Sequence, residues 1–63
     1  MKNNLIKLRQ NNNLTQEDLA EKCGVTRQTI ISLESGRYNP SILLAHKLAL
    51  IFKTSIEKIF IFE

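Results

Sequence analysis

Apolar residues recur along most of this chain at spacings of three and four positions, and strict alternation of apolar and polar residues is nearly absent. A repeat of about 3.6 residues is typical of a helix that buries one face, whereas alternation indicates a strand. The pattern therefore predicts an all-α domain of five short helices. Residues that can open or cap a helix stand at or near the five predicted starts, Asn4, Thr15, Thr26, Ser41 and Ser55.

The second and third predicted helices are joined by a very short link. Thr15 can accept a hydrogen bond from the backbone amide three positions on, and Asp18 adds a carboxylate to the first turn. Gly24 supplies the left-handed conformation that ends the helix, and only Val25 separates it from the next cap, Thr26. So short a link forces a sharp corner, which is typical of a helix-turn-helix spanning about residues 15–36.

The helical spacing also selects the core. The predicted inward-facing residues are Leu5, Leu8, Leu19, Ala20, Cys23, Ile30, Leu33, Ile42, Ala45, Leu48, Ala49 and Phe52. The final apolar run, Ile59 to Phe62, consists of β-branched and aromatic residues for which so small a domain has little interior left. We therefore expect this run to pair with a partner chain, for instance as a short C-terminal β segment at a dimer interface.

Length and composition bound the class of protein. The 63 residues give room for one domain, 1–63, and an apolar content of 43% can form a core without a metal or disulfide framework. The lone cysteine, Cys23, fits a reducing cytoplasm. No stretch resembles a leader peptide or approaches the roughly 20 apolar residues of a membrane span. A net charge of +3 suits a polyanionic partner without identifying one.

Catalytic and metal-binding chemistry finds no support in the sequence. His46 has no carboxylate or thiol at ligand spacing, so a solvated surface histidine is expected, and Cys23 is expected to be a small core residue. The chain contains no glycine-rich phosphate loop, paired-carboxylate site or nucleophile elbow. We therefore predict a protein without enzymatic activity, metal, cofactor or small-molecule ligand.

Four short strings carry a family resemblance that covers nearly the whole chain: LTQEDLA at 14–20, GVTRQTI at 24–30, LESGR at 33–37 and NPS at 39–41. Together they resemble the Cro/C1-type (XRE) helix-turn-helix family, and most of all its minimal single-domain repressors. The resemblance implies a compact five-helix, lambda-repressor-like domain that binds double-stranded DNA. It also implies that the C-terminal segment, about 55–63, helps to pair two subunits.

One face of the third helix is predicted to read bases. Four of its residues lie opposite the inward-facing Ile30 and Leu33 and should be exposed together: Arg27, Gln28, Ile31 and Ser32. Arginine can bind guanine and glutamine can bind adenine through paired hydrogen bonds, and an isoleucine can contact a thymine methyl group. Ordinary solvated side chains are the alternative for the first two residues. A half-buried edge position is an equal alternative for Ile31.

A second set of polar residues is predicted to hold the DNA backbone. The family carries a phosphate-contacting glutamine at the position of Gln16, where free helix amides also attract an anion. The other members lie in or beyond the third helix: Thr29, Ser35, Arg37 and Tyr38. Tyr38 could equally cover the edge of the core. Asn39 is assigned to a base contact, although it also suits the turn before Pro40.

Two charged residues have an architectural interpretation. In the family an arginine of the first helix and a glutamate near the end of the third form a partly buried ion pair, and Arg9 and Glu34 match both positions. Loss of one partner would leave a poorly solvated charge and cost about 3 to 5 kcal/mol if burial is deep.

The predicted dimer interface combines exposed apolar residues of the fourth helix with the C-terminal run. Leu43 and Leu50 lie on one stripe opposite the core, where ordinary scattered leucines are the alternative. The full predicted set is Leu43, Leu50, Ile59, Phe60, Ile61 and Phe62. A twofold dimer would set two reading helices about 34 Å apart and bind a palindromic operator. The leading hypothesis is thus a homodimeric repressor, and the alternative is an antitoxin or protein-interaction module.

Overall fold

The computed structural model describes residues 1–62; Glu63, the last residue of the predicted dimerisation segment, lies outside the described residues. Five helices follow one another in this part of the chain: α1 (Leu5–Asn11), α2 (Gln16–Cys23), α3 (Arg27–Glu34), α4 (Ile42–Ile51) and α5 (Ile56–Ile59). The prediction of an all-α, five-helix fold is confirmed. The third helix ends two residues before Gly36, which adopts a positive φ of 81° in the following turn.

Helices α2, α3 and α4 begin at side-chain caps. Thr15 Oγ1 accepts a hydrogen bond from the Asp18 amide, and the Asp18 carboxylate accepts one from the Thr15 amide, both at 3.0 Å. The Thr26 hydroxyl accepts a hydrogen bond from the Thr29 amide at 3.2 Å, and the Ser41 hydroxyl accepts one from the Leu44 amide at 3.1 Å. Ser55 holds the same position before α5, but its side chain makes no capping bond.

The core lies where α2, α3 and α4 meet α1 and the C-terminal segment. Its buried apolar residues are Leu5, Leu19, Ala20, Cys23, Ile30, Leu33, Leu44, Ala45, Leu48, Ala49, Phe52, Ile59 and Phe60. Leu8 is only half-buried and packs against this cluster.

The predicted core position of Ile42 is wrong. Its side chain is 88% exposed, whereas Leu44, two positions on, is 6% exposed and buried. The buried stripe of α4 extends around the helix from Leu44 to Ala49, and helical rotation puts Ile42 about 20° beyond the Ala49 edge. As the first residue of α4, Ile42 therefore lies outside the stripe and adds to the exposed apolar surface.

The C-terminal run pairs with the chain's own N-terminus, which corrects part of the predicted dimer interface. Asn3 and Phe60 form an antiparallel β-bridge, flanked by bonds from the Asn4 amide to the Ile59 carbonyl and from the Ile61 amide to the Lys2 carbonyl. Ile59 and Phe60 are 0% and 1% exposed. Because they fill the core of a single chain, they offer no surface to a second one.

Candidate nucleic-acid interface

The corner between α2 and α3 fixes the direction of α3, the helix predicted to read bases. Gly24 adopts φ 71°, and Thr26, two positions further on, caps α3. The buried Ile30 and Leu33 hold the inner face of α3 in the core. Its outer face, which begins with Arg27, is consequently turned away from the body of the domain.

The four predicted base-contacting residues of α3 differ in exposure. Arg27 and Gln28, in the first turn, are exposed, whereas Ile31 and Ser32 are half-buried. For Ile31 the structure thus gives the edge position, from which part of the side chain still reaches solvent. The first turn of α3 is the most accessible part of the predicted reading face.

Side chains from three helices line a polar cleft of about 620 Å³ beside this face. Gln16 at the start of α2, Arg27 at the start of α3 and Arg9 of α1 all contribute to it, together with Leu14, Thr15 and Glu17. The Arg27 guanidinium and the Gln16 carboxamide supply hydrogen-bond donors suited to phosphate oxygens. The cleft brings the predicted backbone contact Gln16 and the predicted base contact Arg27 to one surface.

The expected partners Arg9 and Glu34 form a short ion pair. Arg9 Nε donates to Glu34 Oε2 at 2.6 Å, and the side chains are 14% and 4% exposed. Arg9 Nη1 also donates to the Leu14 carbonyl at 2.9 Å. Gln16 Nε2 donates to Glu34 Oε1 at 3.0 Å, a contact that the sequence did not suggest. Its two members are 18 positions apart, so the fold alone brings them together.

Two hydroxyls predicted to contact phosphate already have local partners. The hydroxyls of Thr29 and Thr26 lie 3.1 Å apart and share one hydrogen bond. Ser35 Oγ donates to the Ser32 carbonyl at 2.8 Å and accepts the Arg37 amide at 3.4 Å. To donate a hydrogen bond to a phosphate, the Ser35 hydroxyl would have to give up its bond to the Ser32 carbonyl.

The turn between α3 and α4 exposes its predicted contact residues on different sides. Arg37 is exposed and Tyr38 is 43% exposed. Tyr38 lines a depression of about 210 Å³ with residues of α2, α3 and α4, including Thr29. Asn39 lines another depression, of about 350 Å³, with Lys2 and Phe62. The structure does not bring Asn39 into the cleft that holds Arg27.

The N-terminal segment supports the end of the reading helix and was missed by the sequence interpretation. Asn3 Nδ2 donates to the Leu33 carbonyl at 2.8 Å, and Asn3 Oδ1 accepts the Leu5 amide at 3.1 Å. One side chain thus caps the last turn of α3 and the first turn of α1. The bond to the Leu5 amide could have been predicted, because an asparagine stands just before the predicted first helix. Nothing in the local sequence indicated the bond to the Leu33 carbonyl.

Within residues 1–62, two groups have displaced pKa values. Hydrogen bonds from the backbone and side chain of Thr15 lower the pKa of the Asp18 carboxyl. Burial raises the pKa of the Cys23 thiol, and the charge of Lys47 opposes that rise. Cys23 is 1% exposed, as predicted for a core residue. Over residues 1–62 none of the helices is both long and apolar enough to span a bilayer.

Comparison with known proteins agrees with this geometry. The helix-turn-helix family matches residues 5–59. An uncharacterized HTH-type transcriptional regulator of Methanocaldococcus jannaschii is 59% identical over 63 residues, which cover all of this chain and 96% of that protein. A Bacillus subtilis regulator with the same description, YgzD, is 44% identical, with coverage of 100% and 96%.

Solved structures show the same fold. The restriction-modification controller protein C.AhdI from Aeromonas hydrophila has a TM-score of 0.79 at 32% identity, over 89% of this chain and 85% of that one. A chain of the SinR/SinI protein complex has a TM-score of 0.75 at 28% identity, over 82% and 52%. The chain therefore belongs to the Cro/C1-type (XRE) helix-turn-helix family of DNA-binding transcriptional regulators.

Proposed function

We propose that this regulator is a repressor that binds a palindromic operator in the cytoplasm as a homodimer. The observation that carries the proposal is the exposed first turn of α3 beside the cleft that Arg9 and Gln16 share with Arg27. A repressor of this kind needs no activity beyond occupying a promoter.

Within this proposal the reading face discriminates bases and the surrounding polar groups fix its register. Arg27 and Gln28 form paired hydrogen bonds with guanine and adenine, each worth about 1 to 3 kcal/mol of discrimination. Ile31, Ser32 and Asn39 add base contacts at the edge of the face. The backbone contacts are Gln16, Thr29, Ser35, Arg37 and Tyr38.

Selection of bound duplexes from a random pool tests the proposal. We expect a palindromic consensus with half-sites about 10 base pairs apart, corresponding to one turn of DNA. Affinity for the selected duplex should fall steeply with salt concentration, because neutralised phosphates release counterions. Equal binding of selected and random duplexes would refute sequence-specific recognition.

Two alanine variants separate base reading from backbone contact. Arg27→Ala should relax discrimination at one base position, whereas Gln16→Ala should weaken binding to all sequences nearly equally. Gln16 is uncharged, so its removal should also leave the salt dependence of binding unchanged. If both variants weaken all sequences uniformly, Arg27 is a backbone contact instead.

The homodimer is supported by an exposed apolar surface. Ile42, Leu43 and Leu50 of α4 are 88%, 63% and 64% exposed, and Phe62 is 63% exposed. A largely apolar groove of about 180 Å³ runs between Ile42 and Phe62. We place the dimer interface on these residues and Ile61, since an isolated chain would leave them against water. The described residues extend over 28 × 22 × 20 Å, a size compatible with two adjoining copies whose α3 helices lie about one DNA turn apart.

Sedimentation with paired variants tests this interface. Ile42→Ser should convert dimer to monomer, whereas Ile6→Ser should not, because Ile6 is 45% exposed on α1, outside the proposed face. A dominant wild-type monomer at micromolar concentration would refute the homodimer.

A partner protein is the second candidate occupant of the α4 face. The sequence of α4 contains the basic Lys47 and no acidic residue, so two identical faces would offer no opposite charge to each other. A partner with an acidic, apolar segment would avoid this, and the SinR structure was solved with another protein, SinI. Dimerisation only on addition of the product of a neighbouring reading frame would favour this function.

A further inference from the structure

Glu34 is the acceptor at the centre of the polar contacts beneath the cleft. It ends α3, and its side chain is only 4% exposed. Its Oε2 accepts Arg9 Nε at 2.6 Å, while its Oε1 accepts Gln16 Nε2 at 3.0 Å and Arg9 Nη2 at 3.4 Å. The carboxylate therefore contacts both a structural arginine and a residue of the proposed DNA surface.

The contact determines which end of the Gln16 carboxamide faces inward. An ionised carboxylate only accepts hydrogen bonds, so Glu34 can bind the amide nitrogen of Gln16 but not its oxygen. This arrangement excludes the flipped carboxamide and uses one of the two Nε2 hydrogens. The second hydrogen is left to donate to another acceptor, and Gln16 lines the cleft.

We infer that Glu34 is a positioning residue for DNA binding, which holds the Gln16 carboxamide so that its second Nε2 hydrogen meets a phosphate. The inference rests on the proposed phosphate contact of Gln16. Fixing a glutamine side chain costs conformational entropy. Because Glu34 already fixes Gln16 in the folded chain, this cost does not reduce the free energy of DNA binding. Arg9 makes the arrangement compatible with DNA, because its charge offsets that of the carboxylate next to a phosphate.

A double-mutant cycle in DNA binding separates positioning from a merely structural role. Gln16→Ala should weaken binding to the selected duplex roughly tenfold per protomer, the size expected for one charge-assisted hydrogen bond. Glu34→Gln can both accept from and donate to the Gln16 carboxamide and so no longer fixes its orientation. It should weaken binding by a smaller factor in the native background and have no further effect once Gln16 is alanine. Its effect on unfolding should persist in both backgrounds, because the Arg9 pair is lost in both. Circular dichroism supplies the folded fraction by which each affinity is corrected.

The outcomes distinguish the two proposals. No loss on Gln16→Ala would refute the phosphate contact and the positioning inference together. Positioning would be refuted, with the phosphate contact left intact, by either of two results. In the first, Glu34→Gln further weakens the DNA affinity of the Gln16→Ala variant. In the second, Glu34→Gln alone leaves the DNA affinity unchanged.

Side-chain amide NMR provides a measurement on the native chain should Glu34→Gln fail to fold. The Gln16 Nε2 group should show restricted motion and one displaced proton resonance, whereas the exposed Gln10 and Gln28 serve as internal controls with averaged signals. Addition of the selected duplex should shift the second Gln16 proton. A Gln16 amide as mobile as that of Gln10 would overturn the inference.

Discussion

Replacing Phe60 and Phe62 by alanine compares two aromatic residues two positions apart in opposite environments. Phe60 is 1% exposed in the core, and Phe62 is 63% exposed. Truncating a fully buried phenylalanine costs roughly 3 to 5 kcal/mol, because apolar burial is lost and a cavity remains. A domain of this length unfolds with roughly 3 to 9 kcal/mol, so Phe60→Ala should remove a third or more of that stability. Phe62→Ala should change the stability of the single chain by about 0.5 kcal/mol or less.

Denaturant unfolding followed by circular dichroism at several protein concentrations distinguishes the two effects. A homodimer becomes more stable as its concentration rises. Phe60→Ala should lower the unfolding midpoint at every concentration, whereas Phe62→Ala should mainly weaken its concentration dependence. Equal losses of single-chain stability for the two variants would refute the assignment of Phe60 to the core and Phe62 to an outer surface. An unchanged midpoint for Phe60→Ala would do the same.

Three further predictions concern local features. Gly24→Ala should lower the free energy of unfolding by about 1 kcal/mol in a urea titration, because Gly24 has a φ of 71°. The added Cβ would meet no atom within 4 Å, so the cost is one of backbone conformation alone. Gly24→Asn should lower the free energy of unfolding by less, and equal losses for the two variants would contradict this explanation. Because folding lowers the pKa of the Asp18 carboxyl, Asp18 stabilises the fold at pH values above its unfolded pKa and loses this contribution as the pH falls through its folded pKa. Asp18→Asn should therefore flatten the decline of Tm below about pH 4. Parallel curves of Tm against pH for the variant and the native chain would argue against this role. The buried Cys23 should react with a thiol reagent at a rate that follows the unfolded fraction in urea, and a rate independent of urea would indicate an accessible thiol.

The features predictable from sequence are those decided within a few residues. The caps Thr15 and Thr26 bond to amides three positions away, and Gly24 acts through its own φ. The division of α3 into a buried side and an outer side follows from helical periodicity once the start of the helix is known. The location of α3 and of its outer face could therefore be predicted without tertiary information.

The incorrect predictions depended on contacts between distant segments. Ile59 and Phe60 looked surplus to the core because nothing local indicated that residues 2–4 would pair with them. The exposure of Ile42 depends on how the whole buried stripe of α4 is centred. The Gln16 contact with Glu34 likewise needs α2 and α3 to be in place. Helical periodicity in the sequence indicates which residues share a face of a helix, but only the packing of helices against one another determines which way that face points.

The last turn of α3 is where the stability of the fold and the proposed DNA contacts are most closely connected. Asn3 holds the Leu33 carbonyl, while Arg9 and Gln16 hold Glu34. The N-terminal segment, α1 and α2 therefore all anchor the end of α3 opposite its exposed first turn. Because a rigid helix transmits rotation along its length, a change at Asn3 would redirect Arg27 without touching DNA. Lost affinity that persists after correction for the folded fraction, with lost discrimination at the proposed Arg27 base, would thus report a changed orientation of α3.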